Sequence, residues 1–82
     1  MDATAPTALA TRIANQQTWL ATASTLASAR RAGDLNIDQY RTGLADLHAQ
    51  GASIRFLAAA TGTPRSTVHD DVRAAVAAER GL

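Results

Sequence analysis

Nine of the polar side chains between residues 53 and 73 are candidates for chemistry: Ser53, Arg55, Thr63, Arg65, Ser66, Thr67, His69, Asp70 and Arg73. Three are guanidinium forks, whose parallel N–H donors suit phosphate oxygens or guanine O6 and N7. Four hydroxyls among them, those of Ser53, Thr63, Ser66 and Thr67, can bond phosphates or bases. A carboxylate in such company could accept from cytosine N4 but is otherwise repelled by phosphate. This is the chemistry of non-covalent recognition. Ser66, His69 and Asp70 have the types of a nucleophilic triad, but five residues of one helix splay them over more than half its circumference, with no pocket to hold them. His48 and His69 have no metal partner at a suitable spacing, no cysteine is present, and there is no H-E-x-x-H. Nor is there a glycine loop to cradle phosphate. The expectation is a chain that is not an enzyme and uses neither cofactor nor metal.

Helices must position these groups. Asn36-Ile37-Asp38-Gln39 reads as a capping box opening a helix that runs to about Gln50. Ile37, Tyr40, Leu44 and Leu47 share its inner face, and Gly51 closes it. Ser53 caps a helix over 54–61. Thr63-Pro64 starts the last helix, with Pro64 at its first position, where a missing N–H loses nothing. That helix runs to about Arg80 and turns Val68, Val72, Ala75 and Val76 inward. Upstream, residues 1–6 read as loose. Thr7 then caps a helix reaching Arg31, with Leu9, Ile13, Trp19, Leu20, Ala23, Leu26 and Ala27 in one broad sector. Arg30 and Arg31 suit its C-terminal dipole, and Gly33 its C′ position. At about 24 residues and roughly 36 Å, it is too long for three short helices to cover. The predicted architecture is all-α: a long N-terminal helix in residues 1–33, then a three-helix unit in 34–82.

Within that unit, Ala58 is small where two helices must cross, Gly62 permits φ > 0 in the turn, and Val68 packs back. Ala58 precedes Gly62 by four residues, and Val68 follows it by six. The segment resembles the helix-turn-helix family. Its wording G-A-S-I-R-F-L-A-A-A-T-G-T-P-R-S-T-V is similar to the small DNA-binding domains of resolvases and DNA invertases, and to short bacterial and phage repressors. The likeness is close over those residues and looser over 36–78; the N-terminal third lies outside it. One position departs: Asp71 stands where the family usually has an apolar residue. Val72 is placed to take over the packing, and an arginine on the neighbouring helix, such as Arg55, is placed to pair with Asp71.

The resemblance implies that the last helix enters the DNA major groove, residues near its start reaching base edges. With Val68 inward, Ser66, His69, Asp70 and Arg73 point outward, flanked by Arg65, Thr67 and, at the turn, Thr63. Arg65 and Arg73 would take guanine or phosphate. Ser53 and Arg55, with the free amides of their helix start, would take phosphate. His69 is either a base reader or an ordinary surface residue. Asp70 either accepts from a base or pairs with Arg73 one turn on. Arg30 and Arg31 either close their helix or clamp a phosphate.

The chain has 82 residues, enough for one small domain that is marginal alone. Hydrophobic residues make up 46%, but twenty of them are alanine, so the core is thin and oligomerisation attractive. A formal net charge of +1 is a weak footprint for a nucleic-acid binder. Without cysteine, an N-terminal signal or an apolar run near membrane length, a soluble, cytoplasmic protein is expected, either bacterial and nucleoid-associated or viral in a bacterial host. All eight basic residues are arginine, a hint of a GC-rich coding genome. Together these features point to a sequence-specific regulator, most simply a repressor, binding double-stranded DNA. It would act as a homodimer on a palindromic site, with recognition helices about 34 Å apart, and without membrane or small-molecule partners. Leu9, Ile13, Trp19, Leu20 and Leu26 would form the dimer contact. The alternatives are an adaptor that docks another protein through the N-terminal helix, or an accessory factor in recombination, plasmid partition or phage excision. The N-terminal helix could also fold back to complete a monomeric core.

Overall fold

The computed structural model describes residues 4–81, in which helices start and stop largely where the capping chemistry dictates. The order is α1 (Thr4–Ala32), α2 (Ile37–Gln50), α3 (Ile54–Thr61) and α4 (Arg65–Arg80), and the fold is all-α. The capping box forms as read: the Gln39 N–H donates to Asn36 Oδ1 at 2.8 Å, and the Asn36 N–H to Gln39 Oε1 at 3.0 Å. Ser53 Oγ accepts from the Phe56 N–H at 3.0 Å. α1 closes with paired bonds of the Schellman type, Asp34 N–H to Ala29 O at 2.8 Å and Gly33 N–H to Arg30 O at 3.2 Å.

Two helix starts differ from the reading. α1 begins at Thr4, so residues 4–6 are helical and Thr7 lies inside the helix rather than capping it. Pro6 falls in the first turn, where no intrahelical N–H bond is due, so proline allows the earlier start. The expectation that residues 1–3 are loose lies outside the described residues. Pro64 is the N-cap of α4, with ψ 149°, and not its first helical residue.

Leu44, Leu57 and Val68 are the largest fully buried side chains; Ala23, Tyr40, Leu47, Ala52, Ala58 and Val72 complete the core. α2 and α4 form the most extensive pairing, and α1 lies against α2 and α3. Close approach of α1 to α2 depends on Gly43, where a Cβ would meet both Leu26 methyls at 2.8 Å. Ile37 and Val76, read as inward-facing, are exposed at the edges of their helix faces. Asp71 is buried to 8% exposure. It accepts from Arg41 Nε on α2 at 3.0 Å, so its partner is Arg41 and not Arg55. Arg41 and Asp71 meet because α4 lies along α2; Arg55 on α3 stays exposed.

The apolar sector of α1 divides. Trp19 and Leu26, read as dimer contacts, are half-buried against the chain's own core. Trp19 meets Phe56 edge-on, with ring centroids 6.2 Å apart, and its indole N–H donates to Gln50 Oε1 at 3.2 Å. Leu9, Ile13 and Leu20 remain 55%, 46% and 49% exposed. The turn at 33/34 separates α1 from α2, but Ala23 and Ala27 carry the buried interior across it. α1 has 29 residues, a length of roughly 43 Å, against a longest molecular extent of 48 Å. The radius of gyration, 14.4 Å, exceeds the ~12 Å of a compact chain of this size. The excess comes from the N-terminal half of α1, which runs out beyond the other helices.

Candidate nucleic-acid interface

The turn between α3 and α4 is built as the spacing predicts. Gly62 has φ 73° and ψ 27°, a left-handed conformation strained for any residue with a Cβ. Its N–H and that of Thr63 both donate to Ala58 O, at 2.9 and 3.1 Å. Thr61 is buried without an orphaned hydroxyl: Oγ1 donates to Leu57 O at 2.8 Å and lies 2.7 Å from the Thr63 hydroxyl. Ala58 and Val68 are buried on either side of the turn. α3 and α4 are thereby tied together through backbone and core.

The two helix starts differ in what they leave free. Ser53 spends its acceptor on the Phe56 N–H, leaving its hydroxyl hydrogen and the Ile54 and Arg55 amides for a ligand. α4 has no side-chain cap, and its first backbone bond is Val68 N–H to Pro64 O at 3.1 Å. The N–H groups of Arg65, Ser66 and Thr67 are therefore unclaimed within the helix, at the end where its dipole favours an anion.

The side chains read as DNA contacts separate into two groups. Arg55, Arg65, Ser66, His69 and Asp70 line one open depression with Ile54, where the first turns of α3 and α4 meet. Ser53 is exposed at the start of α3. Arg73 lies in the adjoining groove of about 710 Å³ with His69, His48 and Arg80, over a floor that includes Val72 and Val76. Thr63 and Thr67 instead line a separate depression with Arg30, Arg31 and Tyr40. The sequence reading thus collects residues from two sites, and only the first holds the exposed arginines of α3 and α4. His48 and Arg80 were not foreseen at it. His48 arrives because α2 ends beside α4, with Nδ1 held 2.8 Å from Ala52 O. Arg80 lies too far along α4 to be reached by a rule about helix starts.

Ion pairing favours this face for anions. Among the described residues the arginine–carboxylate pair is Arg41–Asp71, and His69 Nδ1 lies 4.0 Å from Asp70 Oδ1. The expected Asp70–Arg73 pair does not form; Asp70 leans back to His69 instead. Among the described residues, Arg55, Arg65, Arg73 and Arg80 stand exposed and have no carboxylate partner. Arg30 donates to Leu35 O at 3.2 Å and so braces the α1–α2 turn. Among the described residues no cluster of His, Cys, Asp or Glu is arranged to hold a metal ion, and no helix is long and apolar enough to cross a membrane.

Comparison with known protein families, with curated proteins and with solved structures finds no match for this chain.

Proposed function

We propose that this chain is a small sequence-specific DNA-binding protein, most simply a transcriptional repressor. In this reading it works as a homodimer on a palindromic site, in the bacterial cytoplasm or that of a virus's bacterial host. α4 lies in the major groove. Arg65, Ser66 and His69 approach base edges, and Arg73 bonds a guanine or a phosphate farther along. Ser53 and Arg55, with the amides at the start of α3, hold the backbone on one side of the groove. The observation that carries the reading is the uncapped start of α4, tied by the Gly62 turn beside α3 so that both helix starts and Arg55 and Arg65 serve one depression. No catalytic step and no cofactor enter this scheme.

The test is fluorescence anisotropy with a labelled duplex from upstream of the protein's own gene, against a scrambled duplex, at ~50 and ~200 mM salt. The expected result is binding that prefers the upstream fragment and weakens steeply with salt. No binding to either duplex at low salt overturns the proposal. A recombination, partition or excision accessory factor shares the same interface and differs in the DNA it selects. An adaptor for another protein is the second reading, favoured by the exposed Leu9, Ile13 and Leu20.

A further inference from the structure

Leu9, Ile13, Gln16, Leu20, Ala23 and Ala27 follow one another along α1 at alternating steps of four and three residues. That spacing is the seam of a two-stranded coil, one row down a helix. The structure treats the two halves of the row differently. Ala23 and Ala27 are buried by the chain's own helices, whereas Leu9, Ile13, Gln16 and Leu20 are exposed. The exposed half lies on the part of α1 that projects beyond the other helices, where an isolated segment of about 15 residues is a marginal helix in water. Between Asp2 and Asp34 the only charges are Arg12, Arg30 and Arg31. Over the projecting half, Arg12 alone neither selects a strongly charged partner nor repels a copy of itself.

We infer that this half-row is covered by the same half-row of a second copy, running antiparallel. Direction follows from burial. A parallel partner would have to continue past Leu20 along the row, bringing its own α2 and α3 into the place where Ala23 and Ala27 are already covered. An antiparallel partner brings only the first turn and a half of its α1, residues 4–8, past Leu20, level with residues 21–25, and keeps its own α2 and α3 at the far end. The spacing is also self-complementary: with the two-fold axis between residues 14 and 15, Leu9 lies level with Leu20 of the second copy, and Ile13 with Gln16. Every layer then contains an apolar residue, and the end layers are leucine on leucine. Arg12 falls level with Gln17 of the second copy, so the two Arg12 side chains stand more than a turn apart. Gln16 weakens the seam and fixes its register, as a polar residue in a coil does. Four layers make a weak pair, dissociating at micromolar or higher concentration. The inference deepens the homodimer part of the proposed function and stands apart from its DNA part, because the coil forms or fails without a duplex.

The chain has no cysteine, so single cysteines report the geometry. Ile13→Cys and Gln16→Cys are purified separately, then oxidised alone and mixed. The expected product is a disulfide in the mixture that neither protein forms alone, since these two positions face each other only in the antiparallel register. Homodisulfides from each protein alone would overturn the direction. Sedimentation equilibrium on the intact chain supplies the second readout. Ile13→Asp should abolish the dimer with melting of the core unchanged, and Gln16→Leu should tighten it by about tenfold or more. A chain that stays monomeric into the millimolar range, or a dimer indifferent to Ile13→Asp, overturns the proposal.

Discussion

The Asp71 carboxylate is nearly closed off from water, and its partner comes from a different helix 30 residues away in sequence. That arrangement decides what substitutions there do. Arg41→Ala strands a buried acceptor and should cost about 1–3 kcal/mol in urea unfolding. Replacing both, Arg41→Met with Asp71→Leu, should recover most of that loss, because a buried pair is often no better than well-packed apolar groups. If the double variant is as unstable as the single, the pair does more than satisfy itself. Gly62 makes a second residue-level case. An added Cβ meets nothing within 4 Å, so Gly62→Ala is penalised by its φ of 73° alone, about 1–2 kcal/mol. Gly62→Asn should cost less, since asparagine tolerates that conformation. At the interface, Arg65→Ala should weaken specific binding by about 1–3 kcal/mol if it reads a base. Thr67→Ala should change little, because Thr67 faces the depression shared with Arg30 and Arg31. A large Thr67 effect with none at Arg65 would move the site to that other depression.

Helices whose ends carry explicit signals were legible in the sequence. Asn36 with Gln39, Ser53 and Gly62 each satisfy backbone groups locally, so the bounds of α2 and α3 follow from the residues alone. The start of α1 was not legible, because Pro6 is equally at home before a helix and in its first turn. Which arginine meets Asp71 was also hidden, since it depends on how α4 lies along α2, not on any spacing within α4. The same is true of His48 and Arg80 at the groove beside α4. The apolar row of α1 was visible as a row, but periodicity does not say where along a helix the tertiary contacts stop. Packing stops them at Trp19, the first residue of α1 counted with the core. A chain shortened to begin near residue 15 should therefore keep its cooperative melting transition, to within a few degrees by circular dichroism. A collapse of the transition would mean that the projecting half supports the core.

For the molecule as a whole, a net charge of +1 conceals a separation of charge. Among the described residues, four arginines without a carboxylate partner lie on α3 and α4 beside the exposed Asp70 and Glu79, while Asp38 and Asp46 line a depression on α2 with Asn36 and Thr42. A polarised surface can orient an approaching polyanion even when the total is near zero. If all four arginines meet phosphate, the slope of log affinity against log salt should be roughly −3 to −4 per protomer. A slope near zero would leave the face without a role in DNA binding. In the antiparallel pair, the packed segments of the two α1 helices, centred near residue 25, would lie roughly 30 Å apart along the coil, close to the ~34 Å between major-groove faces one turn apart. The projecting helix also gives the chain two levels of cooperativity. Backbone amides before Trp19 belong to a segment with no tertiary support and should exchange their hydrogens for deuterium quickly in a dilute monomer, while those of α2 and α4 exchange only on global opening. Raising the protein concentration should slow exchange in that one segment, making an exchange map a direct reading of how much of the population has found a second copy.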